Sequence, residues 1–194
     1  KTHYWDGFHF QDDGILRTPF FADRIKKYFN NVIVQNPDSV NAEVDRIMAK
    51  TKTGTMMQKL LLAHFLSTYE SSKVMGFDKV FVHIIDKYIR TGMGKDVYDE
   101  KTIENIEKRG DILKPLLLGN QAPDLLMIDT IGHKGTARMG FDTVKTSQGA
   151  TKLYYDNVQN LAQLFTPLYG VKADYLVLVF WDVDCGHCKT EIPI

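Results

Sequence analysis

Tyr175-Leu176-Val177-Leu178-Val179-Phe180-Trp181 runs directly into Asp182-Val183-Asp184-Cys185-Gly186-His187-Cys188-Lys189. The first run is apolar at every position and does not alternate, the pattern of a strand buried on both faces in a sheet flanked by helices. The second run places a C-x-x-C where a helix would open. Dithiol chemistry needs that order of strand, short loop and helix start. Unpaired N–H groups and positive potential at a helix N-terminus favour thiolate on the first cysteine. One helical turn brings the second sulfur within reach of a mixed disulfide formed on the first. On this reading Cys185 is the nucleophile and Cys188 the resolving thiol. A chance pair or a structural disulfide is the plain alternative. Zinc would need a second ligand pair, and only His187 and distant histidines are at hand, so no metal or cofactor is expected.

Upstream, the sequence changes texture twice. Tyr4-Trp5-Asp6-Gly7-Phe8-His9-Phe10 is aromatic and turn-rich, and is expected to pack as an arm across a helical body. Thr18-Pro19 and Asn36-Pro37 each read as an N-cap followed by proline at the first helical position. The helices they open carry Phe21, Ile25, Tyr28, Phe29 and Val32, then Val40, Val44, Ile47 and Met48, toward a core. A third helix after Gly54 turns Met57, Leu60, Leu61, Phe65 and Tyr69 inward. A fourth holds the stripe Phe77, Val80, Phe81, Ile84, Ile85, Tyr88 and Ile89, and Thr91-Gly92-Met93-Gly94 ends it. A fifth starts near Asp99, turns Ile103, Ile106 and Leu113 inward and is perturbed at Pro115. Five amphipathic helices with short links predict a small antiparallel bundle over residues 1–118.

After Leu118 the breaker Gly119-Asn120-Gln121-Ala122-Pro123 leads to an expected short strand, Asp124 to Ile131, and a turn at Gly132-His133-Lys134-Gly135. Residues 136–155 carry no decisive pattern. Asp156 is expected to cap a helix bearing Val158, Leu161, Leu164, Phe165 and Leu168. The fold class expected is therefore α+β: an N-terminal antiparallel helical bundle, then a smaller α/β unit over residues 119–194.

Composition narrows the function further. Basic and acidic residues number 24 each, so the chain lacks the electrostatic footprint of a sequence-independent nucleic-acid binder. Its longest apolar run, Tyr175 to Trp181, is far short of a membrane span. Two cysteines exclude a multi-disulfide scaffold. A start at Lys1 rather than methionine is expected of a processed or shortened chain, with any export signal or lipid-bearing segment lost. No glycine-rich phosphate loop, serine nucleophile elbow or paired-carboxylate motif occurs. His64 and His83 fall in apolar helices and read as packed or surface residues. Asp12-Asp13-Gly14 reads as a turn rather than a calcium loop, and Met56-Met57 as core filler.

Phe180-Trp181, Cys185-Gly186-His187-Cys188-Lys189 and Pro193 together resemble a thioredoxin-like active site, the proline matching the kink of that family's active-site helix. Gly119-x-x-Ala122-Pro123-Asp124 resembles the segment entering thiol–disulfide oxidoreductases of the alkyl-hydroperoxide-reductase and cytochrome-maturation type. The aromatic arm with its helices resembles a helical domain that precedes such modules in envelope proteins of gut Gram-negative anaerobes. The resemblance implies thiol–disulfide exchange with protein thiols or disulfides, in the periplasm or cell envelope. Trp181 and Pro193 would support the active site, and His187 and Asp184 would tune the thiol. Two departures stand out. Asp184 replaces the tryptophan that usually precedes the first cysteine, and a carboxylate there should raise the Cys185 pKa. Protonated His187 acts the other way, as in the disulfide isomerase dipeptide. In addition, a thioredoxin fold needs further strands, a last helix and a cis-proline loop after Ile194. The α/β unit is thus expected to be incomplete and impaired, with an exposed sheet edge prone to self-association. The alternative function is a non-catalytic binding or structural envelope protein whose helical domain is the working part.

Overall fold

The computed structural model describes residues 3–130, 132–182 and 184–191. It divides into two compact units, Lys1–Ala122 and Pro123–Ile194. Among the described residues the chain is mostly helical, with one two-stranded antiparallel sheet.

The first unit is built on local signals that hold. Asn36 accepts the Asp38 N–H and Pro37 opens α2, Pro37–Met48. Asp99 accepts the Thr102 N–H at 2.8 Å and opens α5, Glu100–Leu113. Thr55 caps α3, Met56–Glu70, whose first N–H groups also donate to a distant residue: Met56 and Met57 meet the Asp13 carboxylate at 3.1 and 2.8 Å. A negative charge is favoured there because the helix start carries positive potential. Thr18 departs from expectation. Its hydroxyl donates to the Ile15 carbonyl, closing the 3₁₀ turn before it, and α1, Phe20–Lys27, begins without a side-chain cap.

Two helices end in π-helical turns. Residues Tyr28–Val32 continue α1, and residues Ile85–Ile89 continue α4, Asp78–Ile84. The second run ends at Ile89, and Gly92, with φ of +97°, turns the chain through the left-handed region that glycine tolerates into a 3₁₀ turn at Met93–Asp96. Helix α4 packs on α2, α3 and α5, and the buried core they enclose runs from Trp5 to Ile89. Leu60 and Met56 are corrections to the expected core. They are 59% (Met56) and 41% (Leu60) exposed, whereas Met57 and Leu61 are fully buried. Ile103, Ile106 and Leu113 are only partly buried, so α5 covers the core rather than entering it.

The aromatic arm packs as expected. Trp5 is buried with its ring 4.9–5.2 Å from Tyr4, Phe8, Phe10 and Tyr28. The Arg24 guanidinium lies 5.4–5.5 Å from the rings of Tyr4, Trp5 and Phe8, a cation–π arrangement that ties the arm to α1.

In the second unit the expected strand shrinks to β1, Leu126–Ile128, paired antiparallel with β2, Phe165–Pro167, in the register Met127 opposite Thr166. Gly132 to Gly135 is not a free turn. The Asp129 side chain accepts the Gly132 N–H at 2.7 Å, and α6, His133–Arg138, follows. Helix α7, Ser147–Leu161, starts well before Asp156, because Thr146 accepts the Gly149 N–H and supplies the cap. Asp156 lies exposed within α7, and Phe165 belongs to β2. The largest correction is the buried strand. Residues 175–181 form no strand among the described residues, and Tyr175, Val177 and Phe180 are 92%, 83% and 81% exposed. A strand apolar on both faces needs neighbours to pair with, and the sheet found among the described residues uses β1 and β2 alone.

Among the described residues no helix is long and apolar enough to cross a membrane.

Candidate dithiol site

The two cysteines lie where the loop after Trp181 turns into α8, Gly186–Glu191. A disulfide joins them, with their Cα atoms 5.2 Å apart, and both are half-buried. The Cys188 N–H donates to Cys185 Sγ at 3.1 Å. That donor is fixed by the backbone, so it also faces the sulfur that would carry negative charge after reduction. The Cys185 N–H donates to the Asp182 carbonyl at 3.1 Å, and the Lys189 N–H to the Cys185 carbonyl at 3.3 Å, which sets the first cysteine at the entry to the helical turn.

Two aspartates order the loop, and both do so through Ser147, a residue no sequence motif pointed to. Asp182 Oδ1 accepts the Asp184 N–H at 2.7 Å and the Ser147 hydroxyl at 2.9 Å. Asp184 Oδ2 accepts the Ser147 N–H at 3.0 Å, at the first residue of α7. The Ser147 backbone and side-chain hydrogen bonds, with Lys189 nearby, hold the Asp184 carboxyl below its ordinary range despite a small opposing effect of burial. Its charge is therefore directed at the α7 start. His187 is exposed, and Trp181 is 41% exposed. Pro193 lies outside the described residues. No group of three or more His, Cys, Asp or Glu among the described residues could hold a metal ion.

Two further carboxylates are organised in the first unit, one of them around His83. His83 Nε2 meets Asp45 Oδ1 at 2.9 Å, and the Lys87 ammonium and the Tyr88 hydroxyl donate to the same carboxylate at 2.7 and 2.6 Å. Glu43, 3% exposed, accepts from the Tyr28 hydroxyl and from Arg46 Nε, each at 2.8 Å. Both carboxylates are on α2 and join elements far apart in sequence, which spacing alone does not reveal.

Residues 1–109 match the family model described as Domain of unknown function (DUF5106). The chain belongs to that family. No curated protein and no solved structure matches it. The DUF5106 match covers the aromatic arm and nearly all of α1 to α5, and stops before the dithiol.

Proposed function

We propose that the chain exchanges thiols and disulfides with proteins of the cell envelope through Cys185 and Cys188, in a thioredoxin-like manner. One observation carries the reading: a bonded cysteine pair at a helix start, with a backbone N–H aimed at the first sulfur. In the reduced protein the Cys185 thiolate attacks one sulfur of a substrate disulfide. That S–S bond breaks, its other sulfur leaves as a thiolate and takes a proton, and a mixed disulfide remains on Cys185. The Cys188 thiolate then attacks Cys185 Sγ and releases the second substrate thiol, so two electrons pass from the pair to the substrate. Reversing the steps oxidises a substrate dithiol. Protein thiols and disulfides are the partners, and an oxidising compartment such as the periplasm suits a pair found bonded. Trp181 and Pro193 support the site, and His187 tunes it. Self-association through the exposed run at residues 175–181 belongs to the same reading, since bare apolar chain with free N–H and C=O groups invites pairing.

The test is a redox titration of the full chain, together with Cys188→Ser. A pair in this role equilibrates between about −120 and −270 mV, and the Cys188→Ser protein accumulates a mixed disulfide on Cys185 with a disulfide-bonded peptide. A pair that does not respond in that window, or a Cys188→Ser protein that forms no adduct, overturns the proposal. The non-catalytic reading, with the DUF5106 unit as a binding module, then stands, favoured by the concentration of buried core in that unit.

A further inference from the structure

Within the DUF5106 unit, α1 and its π-helical turn meet α3. A cavity of about 370 Å³ opens there. Its inner wall is aromatic: Phe29, Phe65, Tyr69 and Phe77 line it, and all four are buried. Phe29 and Phe65 meet edge-on at 4.9 Å, and Tyr69 and Phe77 at 5.7 Å, so the wall is braced ring against ring. Its outer rim is polar, and Lys26 is the one charged side chain among the residues lining the cavity.

Two polar groups on this wall make no hydrogen bond to the protein among the described residues. Tyr69 is 6% exposed, yet its hydroxyl is unpartnered. It is not sealed in, because among the described residues the fully enclosed polar atoms without a partner are Trp5 Nε1 and Asn41 Oδ1. Burial pushes its phenol well above the ordinary range, so it remains a neutral donor. His64, half-buried on the same helix, is held below its ordinary value by burial and is a neutral imidazole able to donate and accept. A buried polar group is ordinarily satisfied, and one that faces a cavity is satisfied by what enters it. The backbone beside the cavity is irregular as well. Phe29 and Asn30 sit in the π-helical turn, and Gln35 Nε2 donates to the Phe29 and Ile33 carbonyls at 2.6 and 3.0 Å, closing that wall. Single π-helical turns recur at functional sites.

We propose that this cavity binds a small phenolic carboxylic acid, with its ring against Phe29, Phe65 and Phe77. Its phenol group meets Tyr69 and His64 on the inner wall, and its carboxylate meets Lys26 at the rim. The site takes one flat ring with a polar group at each end, and it rejects a cation at the outer end.

Calorimetric titration of the full chain with 4-hydroxyphenylacetate tests this, with phenylacetate lacking the hydroxyl and tyramine carrying an ammonium in place of the carboxylate. Saturable binding of 4-hydroxyphenylacetate is expected, about three- to tenfold tighter than either relative, the effect of one hydrogen bond or one charge contact. Tyr69→Phe keeps the ring and erases the preference over phenylacetate. Lys26→Gln, on the exposed rim, erases the preference over tyramine. No saturable binding below about 10 mM, equal affinity for the three compounds, or preferences that survive both substitutions overturns the proposal. The comparison of the three compounds on the unaltered chain decides the matter even where a variant folds poorly.

Discussion

Glu43 and Asp45 lie two residues apart on α2 and stabilise the fold in different ways. Glu43 is almost wholly buried, and Arg46 and the Tyr28 hydroxyl share its carboxylate, with Arg46 also donating to that hydroxyl at 2.8 Å. Burial first, then the Glu43 hydrogen bond, raises the Tyr28 pKa, so the phenol stays a donor throughout the physiological range. Removing the carboxylate leaves the buried Tyr28 hydroxyl without its acceptor, whereas Arg46, with its side chain 38% exposed, can turn to water. Glu43→Ala is expected to cost about 2 kcal/mol and Tyr28→Phe about 1 kcal/mol, measured by urea unfolding; equal costs would show that the network is not shared. Asp45 is the acid-sensitive member. Burial alone would raise its pKa, but the bonds from Lys87, Tyr88 and His83 outweigh that and lower it from 3.8. A carboxyl depressed on folding contributes stability that is present above its unfolded value and lost as pH falls through its folded value. Unfolding free energy should therefore decline as pH drops below about 4, and Asp45→Asn should flatten that decline; an unchanged slope would sink the assignment. Neither cluster was legible in the sequence, because Asp45 meets partners on the α4 run through Tyr88, far along the chain. The cysteines were legible because their whole signal is local.

At the scale of elements the same division holds. Asn36-Pro37 and Asp99 mark helix starts by chemistry confined to one turn, and the structure puts the starts there, while Gly92 turns the chain just after the α4 run has ended at Ile89. The π-helical turns keep the apolar face that periodicity shows, so nothing in the pattern distinguishes them from α-helix. Residues 175–181 failed for the opposite reason. Their apolar run describes what a strand would bury, but whether it is buried depends on strands elsewhere, and none pairs with it among the described residues. Helix α5 illustrates close approach. Gly110 is its one buried residue, and a Cβ placed there would lie 2.9 Å from Ile85 Cδ1 and 3.3 Å from Ile85 Cγ2. Ile85 is itself fully buried in the π-helical turn, so it has little room to give. Gly110→Val should cost about 2 kcal/mol by overpacking, despite the lower backbone entropy of valine in the unfolded chain. Paired replacement with Ile85→Ala should recover part of the loss; a neutral Gly110→Val would show that α5 does not rest on the turn.

For the whole molecule, the two units are unequal in what holds them together. The first encloses a continuous core from Trp5 to Ile89, with α5 laid over it and the aromatic arm locked by Arg24. In the second, the buried apolar side chains among the described residues are Leu161 and Leu168, against exposed Leu126, Tyr155, Val177 and Phe180. Folding must offset roughly 1–2 kcal/mol of backbone entropy per ordered residue, and burial of apolar surface is the main term that does so. The first unit meets that condition within itself and the second does not. A fragment ending at Ala122 is therefore expected to unfold cooperatively on heating, with helical circular dichroism like its share of the full chain. A fragment from Pro123 onward should lose its signal gradually, with no heat-capacity peak, and should bind a hydrophobic dye at room temperature. Reduction of the Cys185–Cys188 bond should change this little, because the loop it closes is short and constrains few unfolded conformations. A sharp, dye-free transition in the isolated second fragment would show that two buried leucines and a three-residue ladder suffice for a stable fold, and would overturn this assignment of where the stability lies.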